Sequence, residues 1–120
     1  MQFLVIISLL YGPQNETLLD ANFQRELPEL DRRQNVMAVG YVKTVNGTRP
    51  MENIFHDIDG YASWVDNATS RYVFQGIFFD ETPSVYTEEN NLFMCQIDDY
   101  VKHHKGFGRN FVQHSLNLLI

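Results

Sequence analysis

The segment Gly76-Ile77-Phe78-Phe79-Asp80-Glu81-Thr82-Pro83 carries an apolar run straight into two adjacent carboxylates and is stopped by a proline. In parallel α/β folds the reactive groups gather at the carboxyl ends of strands, where the following loops converge. Two carboxyl groups there suit glycoside hydrolysis, in which one acts as general acid while the other stays ionised as nucleophile or electrostatic stabiliser. Asp80 and Glu81 are therefore the candidate catalytic pair. Neighbours on a strand point to opposite faces, so the two need not pair with each other and one could act with a carboxylate from another strand. An Asp N-cap or a solvated loop pair explains the same residues without catalysis. The second passage of this kind, Gly40-Tyr41-Val42-Lys43-Thr44-Val45-Asn46-Gly47-Thr48-Arg49-Pro50, puts an aromatic ring, hydroxyls and a guanidinium on the same rim. Tyr41 could stack on a sugar face, and Arg49 could bind an anion or a carboxylate. An Asn-Gly turn leading into a helix explains the same residues without a ligand.

Four segments must place these groups: Phe3–Leu9, Val36–Val42, Val73–Phe79 and Phe111–Leu119. The first three are near-continuous apolar runs, the pattern of a parallel sheet covered by helices; the fourth is mixed. Between them lie helical patterns. Leu19, Phe23, Leu27 and Leu30 form one stripe, with Pro28 expected to kink or restart the helix. Ile54, Ile58, Tyr61 and Val65 form a second, and Phe93, Ile97, Tyr100 and Val101 a third. The third pattern closes on Lys102-His103-His104-Lys105 before Gly106, basic residues that complement a helix C-terminus. The β–α–β–α alternation predicts an α/β chain with one parallel sheet.

Length and composition narrow the classes. The chain has 120 residues, 44% hydrophobic and 13% aromatic, which excludes a disordered segment. Nine basic against fifteen acidic residues give a net charge of −6, leaving no basic stripe for nucleic acid. Phe3–Leu10 is too short to span a membrane and lacks a basic flank, so it reads as a buried strand rather than a leader. Three Asn-x-Thr tripeptides, at Asn15, Asn46 and Asn67, favour a secretory setting only mildly. No metal or cofactor is expected. His56-Asp57-Ile58-Asp59-Gly60 lacks the further ligands and terminal Glu of a calcium loop, and Asp57 and Asp59 are expected on a solvated helix face. His103 and His104 diverge by about 100° on a helix, and the lone Cys95 is expected in the core. No glycine motif opens a helix to cradle phosphate. A flavodoxin-like phosphoacceptor domain would need a fifth strand and an acidic cluster after the first, and neither is present.

The motif series resembles the spherulin-4 proteins (spherulation-specific family 4), glycoside-hydrolase-like (β/α)8 TIM barrels related to α-1,4-galactosaminidases. The matching residues, in order, are Phe3-Leu4-Val5-Ile6-Ile7 with Gly12-Pro13, Asn35 to Val42 with Thr44, Gly47 and Arg49, then Asp57-Ile58-Asp59-Gly60-Tyr61-Ala62-Ser63-Trp64, and Gly76 to Pro83. The resemblance implies parallel βαβ units forming part of a TIM barrel, the four strands corresponding to its second to fifth, in one partial domain over residues 1–120. It implies Asp80 and Glu81 as the acidic active-site pair, with Tyr41, Thr44 and Arg49 lining the groove. The implied partner is a galactosamine-type carbohydrate polymer, and the implied setting is secreted or cell-surface. A Ser8-Leu9-Leu10-Tyr11 loop stands where the family has an Asn-Pro turn. An open part-barrel also presents sheet edges for self-association. A non-catalytic carbohydrate-binding or structural protein of the same fold is the alternative.

Overall fold

The structure is a computed structural model that describes residues 2–8, 21–66 and 70–115. The expected 9–13 loop, Leu19, the tripeptides beginning at Asn15 and Asn67, and the end of the fourth run beyond Ser115 lie outside the described residues. Four strands make one sheet: β1 (Phe3–Ile7), β2 (Val36–Lys43), β5 (Gly76–Asp80) and β6 (Phe111–His114), in the order β1-β2-β5-β6. Every pairing in it is parallel. Helices α1 (Ala21–Arg32), α2 (Met51–Ala62) and α3 (Glu88–Lys102) form the crossovers. A two-residue antiparallel ribbon, β3 (Val65–Asp66) with β4 (Arg71–Tyr72), follows α2.

Several boundaries differ from the sequence reading, each for a local reason. Strand β5 starts at Gly76 rather than Val73, because Gln75 donates its N–H to Ala38 before regular pairing begins, while Val73 and Phe74 are buried below the sheet. Val65 is an exposed ribbon residue and no part of the α2 stripe, since α2 ends at Ala62 and Ser63 caps its last turn. Pro28 lies inside α1 without ending it. A proline there removes one helical hydrogen bond, while Leu27 and Leu30 on either side hold the helix to the core. Cys95 is exposed. It sits about 160° around α3 from Phe93 and Ile97, on the far side of the helix from the core.

One apolar cluster joins all three helices to one face of the sheet. Leu27 of α1, Ile54, Ile58 and Tyr61 of α2, and Ile97 and Val101 of α3 pack with Val42, Ile77 and Phe79. Side chains alternate along a strand, and register partners in a parallel sheet share a face. Val42 and Phe79 are partners and point to the helices, as does His114, the partner of Phe79. His114 Nε2 lies 2.7 Å from Asp98 on α3 and pins the end of β6 there. The opposite face therefore carries Val39, Tyr41 and Lys43 of β2 and Phe78 and Asp80 of β5. No described helix is long and apolar enough to cross a membrane.

Helix ends follow their local chemistry. Thr87 caps α3, its hydroxyl accepting from the Asn90 N–H at 3.0 Å, and Glu88 and Glu89 occupy the positively polarised first turn. At α2, the Pro50 carbonyl accepts from Asn53 and Ile54.

Candidate active site

Asp80 is the last residue of a central strand and lies on the face away from the helices. The Tyr41 hydroxyl, on the neighbouring strand and the same face, donates to Asp80 Oδ2 at 2.8 Å. The Tyr41 ring stacks beside Phe78, with centroids 6.3 Å apart and planes 29° from parallel. Alternation accounts for the grouping: Phe78 and Asp80 are two apart on β5, Tyr41 and Lys43 two apart on β2, and the pairs Tyr41–Phe78 and Lys43–Asp80 are in register. Burial first, then the Asp80 hydrogen bond and the charges of Asp80 and Glu81, push the Tyr41 phenol up to about 12. The phenol thus remains a donor throughout the neutral range.

Glu81 leaves the strand. Its φ of +53° is the left-handed region, unfavourable for a residue with a Cβ, so the alternation that would send it to the helix side is broken. The turned carbonyl of Glu81 accepts from the Thr44 hydroxyl at 2.8 Å and the Asn46 N–H at 2.6 Å. The Thr44 N–H in turn donates to the Asp80 carbonyl at 2.9 Å. The β2 loop is itself left-handed at Val45, Asn46 and Gly47, with φ of 52°, 54° and 81°, which brings the Asn46 N–H into line. Two strained turns thus hold each other across the rim and leave the Glu81 side chain exposed beside the half-buried Asp80. On the other side Thr82 Oγ1 lies 3.0 Å from Ser115 Oγ, tying the β5 loop to the end of β6.

Not every expected groove residue faces a ligand. Thr44 has no exposed surface and its hydroxyl is spent on the Glu81 carbonyl, so it positions the acidic pair from below. Arg49 finds its carboxylate within the chain. Its Nη2 lies 2.7 Å from Asp57 Oδ2 and its Nη1 donates to the Lys43 carbonyl at 3.1 Å, both side chains being about four-fifths buried. Asp57 is accordingly no solvated residue. Asp59 does lie on an exposed helix face, where it accepts from the Tyr100 hydroxyl at 2.7 Å and lies 2.9 Å from His104 Nε2. Both carboxylates sit off the α2 core stripe as read, but Asp57 faces the β2 loop rather than water, while Asp59 stays exposed beside α3. Replacing Arg49 with Gln should strand Asp57 and cost about 1–3 kcal/mol of stability, measured by urea unfolding. A double-mutant cycle with Asp57→Asn should recover part of that loss.

Two contributions were missed in the sequence. Lys43 shares the Asp80 face, which its two-residue spacing from Tyr41 could have indicated. Tyr61, read only as a core residue, donates its hydroxyl to the Tyr41 carbonyl of the central strand β2 at 2.8 Å. Its ring lies directly on Gly40.

A parallel sheet with an acidic strand end on the face away from its helices, built of βα units, defines a part of a TIM-barrel-like α/β protein. The chain belongs to spherulation-specific family 4, whose sequence model matches residues 1–115. A similar solved structure is Aspergillus clavatus Sph3, determined in complex with GalNAc: 35% of residues are identical and the TM-score is 0.85. The likeness covers 95% of this chain and 46% of Sph3, so the chain spans about half the length of that protein. The four parallel strands and their helices match part of the Sph3 fold. No curated protein matches the chain significantly.

Proposed function

We propose that this chain carries the acidic wall of a glycoside hydrolase active site that acts on α-linked galactosamine or N-acetylgalactosamine polymers, with Asp80 and Glu81 as the acidic pair. The observation that carries the reading is the Asp80 carboxylate, held by the Tyr41 hydroxyl at 2.8 Å beside an exposed Glu81 on a strained strand end. The GalNAc found with Sph3, together with the resemblance to galactosaminidases, supports an amino sugar as the ligand. Tyr41 orients Asp80, which holds and electrostatically stabilises the sugar ring as positive charge develops at the anomeric carbon. Glu81, whose side chain is exposed on the rim, carries the proton to or from the glycosidic oxygen. Thr44 and Asn46 keep Glu81 in place, and Arg49 keeps the β2 loop in place through Asp57.

The test is release of reducing ends from an α-1,4-linked N-acetylgalactosamine polymer, run alongside a binding assay on the same polymer. Turnover that disappears in Asp80→Asn supports hydrolysis. Binding without turnover in the unmutated chain would instead make it a carbohydrate-binding protein of the same fold, and neither would overturn the reading.

Tyr41→Phe removes the donor and keeps the ring. It should lower turnover by about tenfold while stability changes by about 1 kcal/mol or less. The same variant reports on alkaline stability. Tyr41 titrates near 12 in the folded chain against 10.0 for an ordinary tyrosine, so the unfolded chain loses this proton first. The stability it contributes is complete below pH 10 and is lost as pH rises toward 12. Tyr41→Phe should flatten that decline, and ultraviolet titration should show one fewer late-ionising phenol. The Tyr100 phenol, also pushed up to about 12 by burial and by Asp59, should remain.

A further inference from the structure

The amino-terminal rim of the sheet, opposite Asp80, holds a feature that the proposed hydrolysis does not use. Arg33 precedes β2, Arg71 lies in β4 and Arg109 precedes β6, and all three line one open cavity of about 480 Å³. Gln34, Ser70 and Tyr72 add polar groups to its wall, and no carboxylate is among the lining residues. This is unusual for the chain. Its net charge is −6, and Arg25, Arg32 and Arg49 each face a carboxylate at 2.7–3.0 Å. Among the described residues, no carboxylate pairs with Arg33 or Arg109. Arg33 and Arg109 thus bring two guanidinium groups from separate elements to one cavity with no described carboxylate paired to either. Guanidinium groups match tetrahedral oxyanions through paired N–H donors.

The backbone around the cavity is built rather than loose. The Gln75 carbonyl accepts from the Arg109 N–H at 3.3 Å and the Phe111 N–H at 2.9 Å, and the Gln75 amide donates to the Tyr72 carbonyl at 3.0 Å. Arg109 and the β4 ribbon are therefore fixed to the same residue. We infer that this cavity binds a tetrahedral oxyanion, phosphate or sulfate, free or as a monoester on a sugar.

Amide NMR at constant ionic strength, with inorganic phosphate exchanged for chloride, tests it on the whole chain. Saturable shifts at Gln34, Ser70, Gly108 and Arg109 are expected, with Kd raised at least tenfold in Arg33→Gln/Arg109→Gln. Linear shifts spread over the surface, or an unchanged Kd in the variant, would overturn the inference. The two single variants are measured as well, each expected to weaken binding severalfold, so that failure of the double variant to fold does not remove the test. A parallel titration with galactose 6-phosphate assigns the source: tighter binding than inorganic phosphate points to the ester, equal binding to the free anion. Because the cavity lies on the rim opposite Asp80, Asp80→Asn should leave this Kd unchanged.

Discussion

Asp80→Asn should reduce turnover of an α-linked galactosamine polymer by about 10³-fold or more, with unfolding free energy within about 1 kcal/mol of the unmutated chain. The asparagine is isosteric and its side-chain oxygen still accepts from the Tyr41 hydroxyl, so the rim keeps its shape. What is lost is the negative charge facing the anomeric centre. Glu81→Gln should cost a comparable factor for a different reason, because an amide cannot transfer the proton. Glu81→Gly separates chemistry from folding most cleanly. Glycine removes the Cβ strain of a φ of +53° while the backbone bonds from Thr44 and Asn46 persist. Stability should rise by about 1 kcal/mol or less as turnover falls as far as in Asp80→Asn. Loss of both together would mean that Glu81 serves only the fold.

The second large effect is expected at Gly40, far from any charge. A Cβ there would lie 2.5 Å from the Tyr61 ring, which is nearly solvent-free and packs edge-on against Phe74 at 4.9 Å between centroids. Neither ring has room to retreat. Gly40→Ala should therefore cost about 2–3 kcal/mol in denaturant unfolding. The displacement should also break the Tyr61 hydrogen bond to the Tyr41 carbonyl, moving the phenol that orients Asp80. Turnover should fall along with stability. Combining Gly40→Ala with Tyr61→Ala should cost less than the sum of the two singles, because removing the ring removes the clash that the added Cβ creates.

The parallel sheet was legible because β1, β2 and β5 are near-continuous apolar runs, although the described helices cover one face only and Phe3 and Ile6 of β1 are exposed. The α2 and α3 stripes were legible from spacing, and Ile54, Ile58, Ile97 and Val101 are fully buried as read. The site was legible as far as position: a strand ending in Asp80, a loop after Tyr41. What escaped was whatever depends on backbone turns. The left-handed conformation at Glu81 occurs at a residue type that gives no sign of it, since glycine alone advertises positive φ. For the same reason Thr44 could not be recognised as a buried hydroxyl under the rim. The Arg49–Asp57 pair was hidden differently. Both residues were noticed, but a loop and a helix eight residues apart in sequence reveal their contact only once the loop is folded. The β3–β4 ribbon, two residues on each side, is too short to show a period.

The central claim, that the rim around Asp80 receives an amino sugar, is met most directly by amide NMR of the chain titrated with an α-1,4-linked N-acetylgalactosamine oligomer. Saturable shifts confined to the carboxyl ends of β2 and β5, at Tyr41, Lys43, Asp80, Glu81 and Thr82, are predicted. Shifts confined to any other surface, or none at all while the fold is intact, would contradict it.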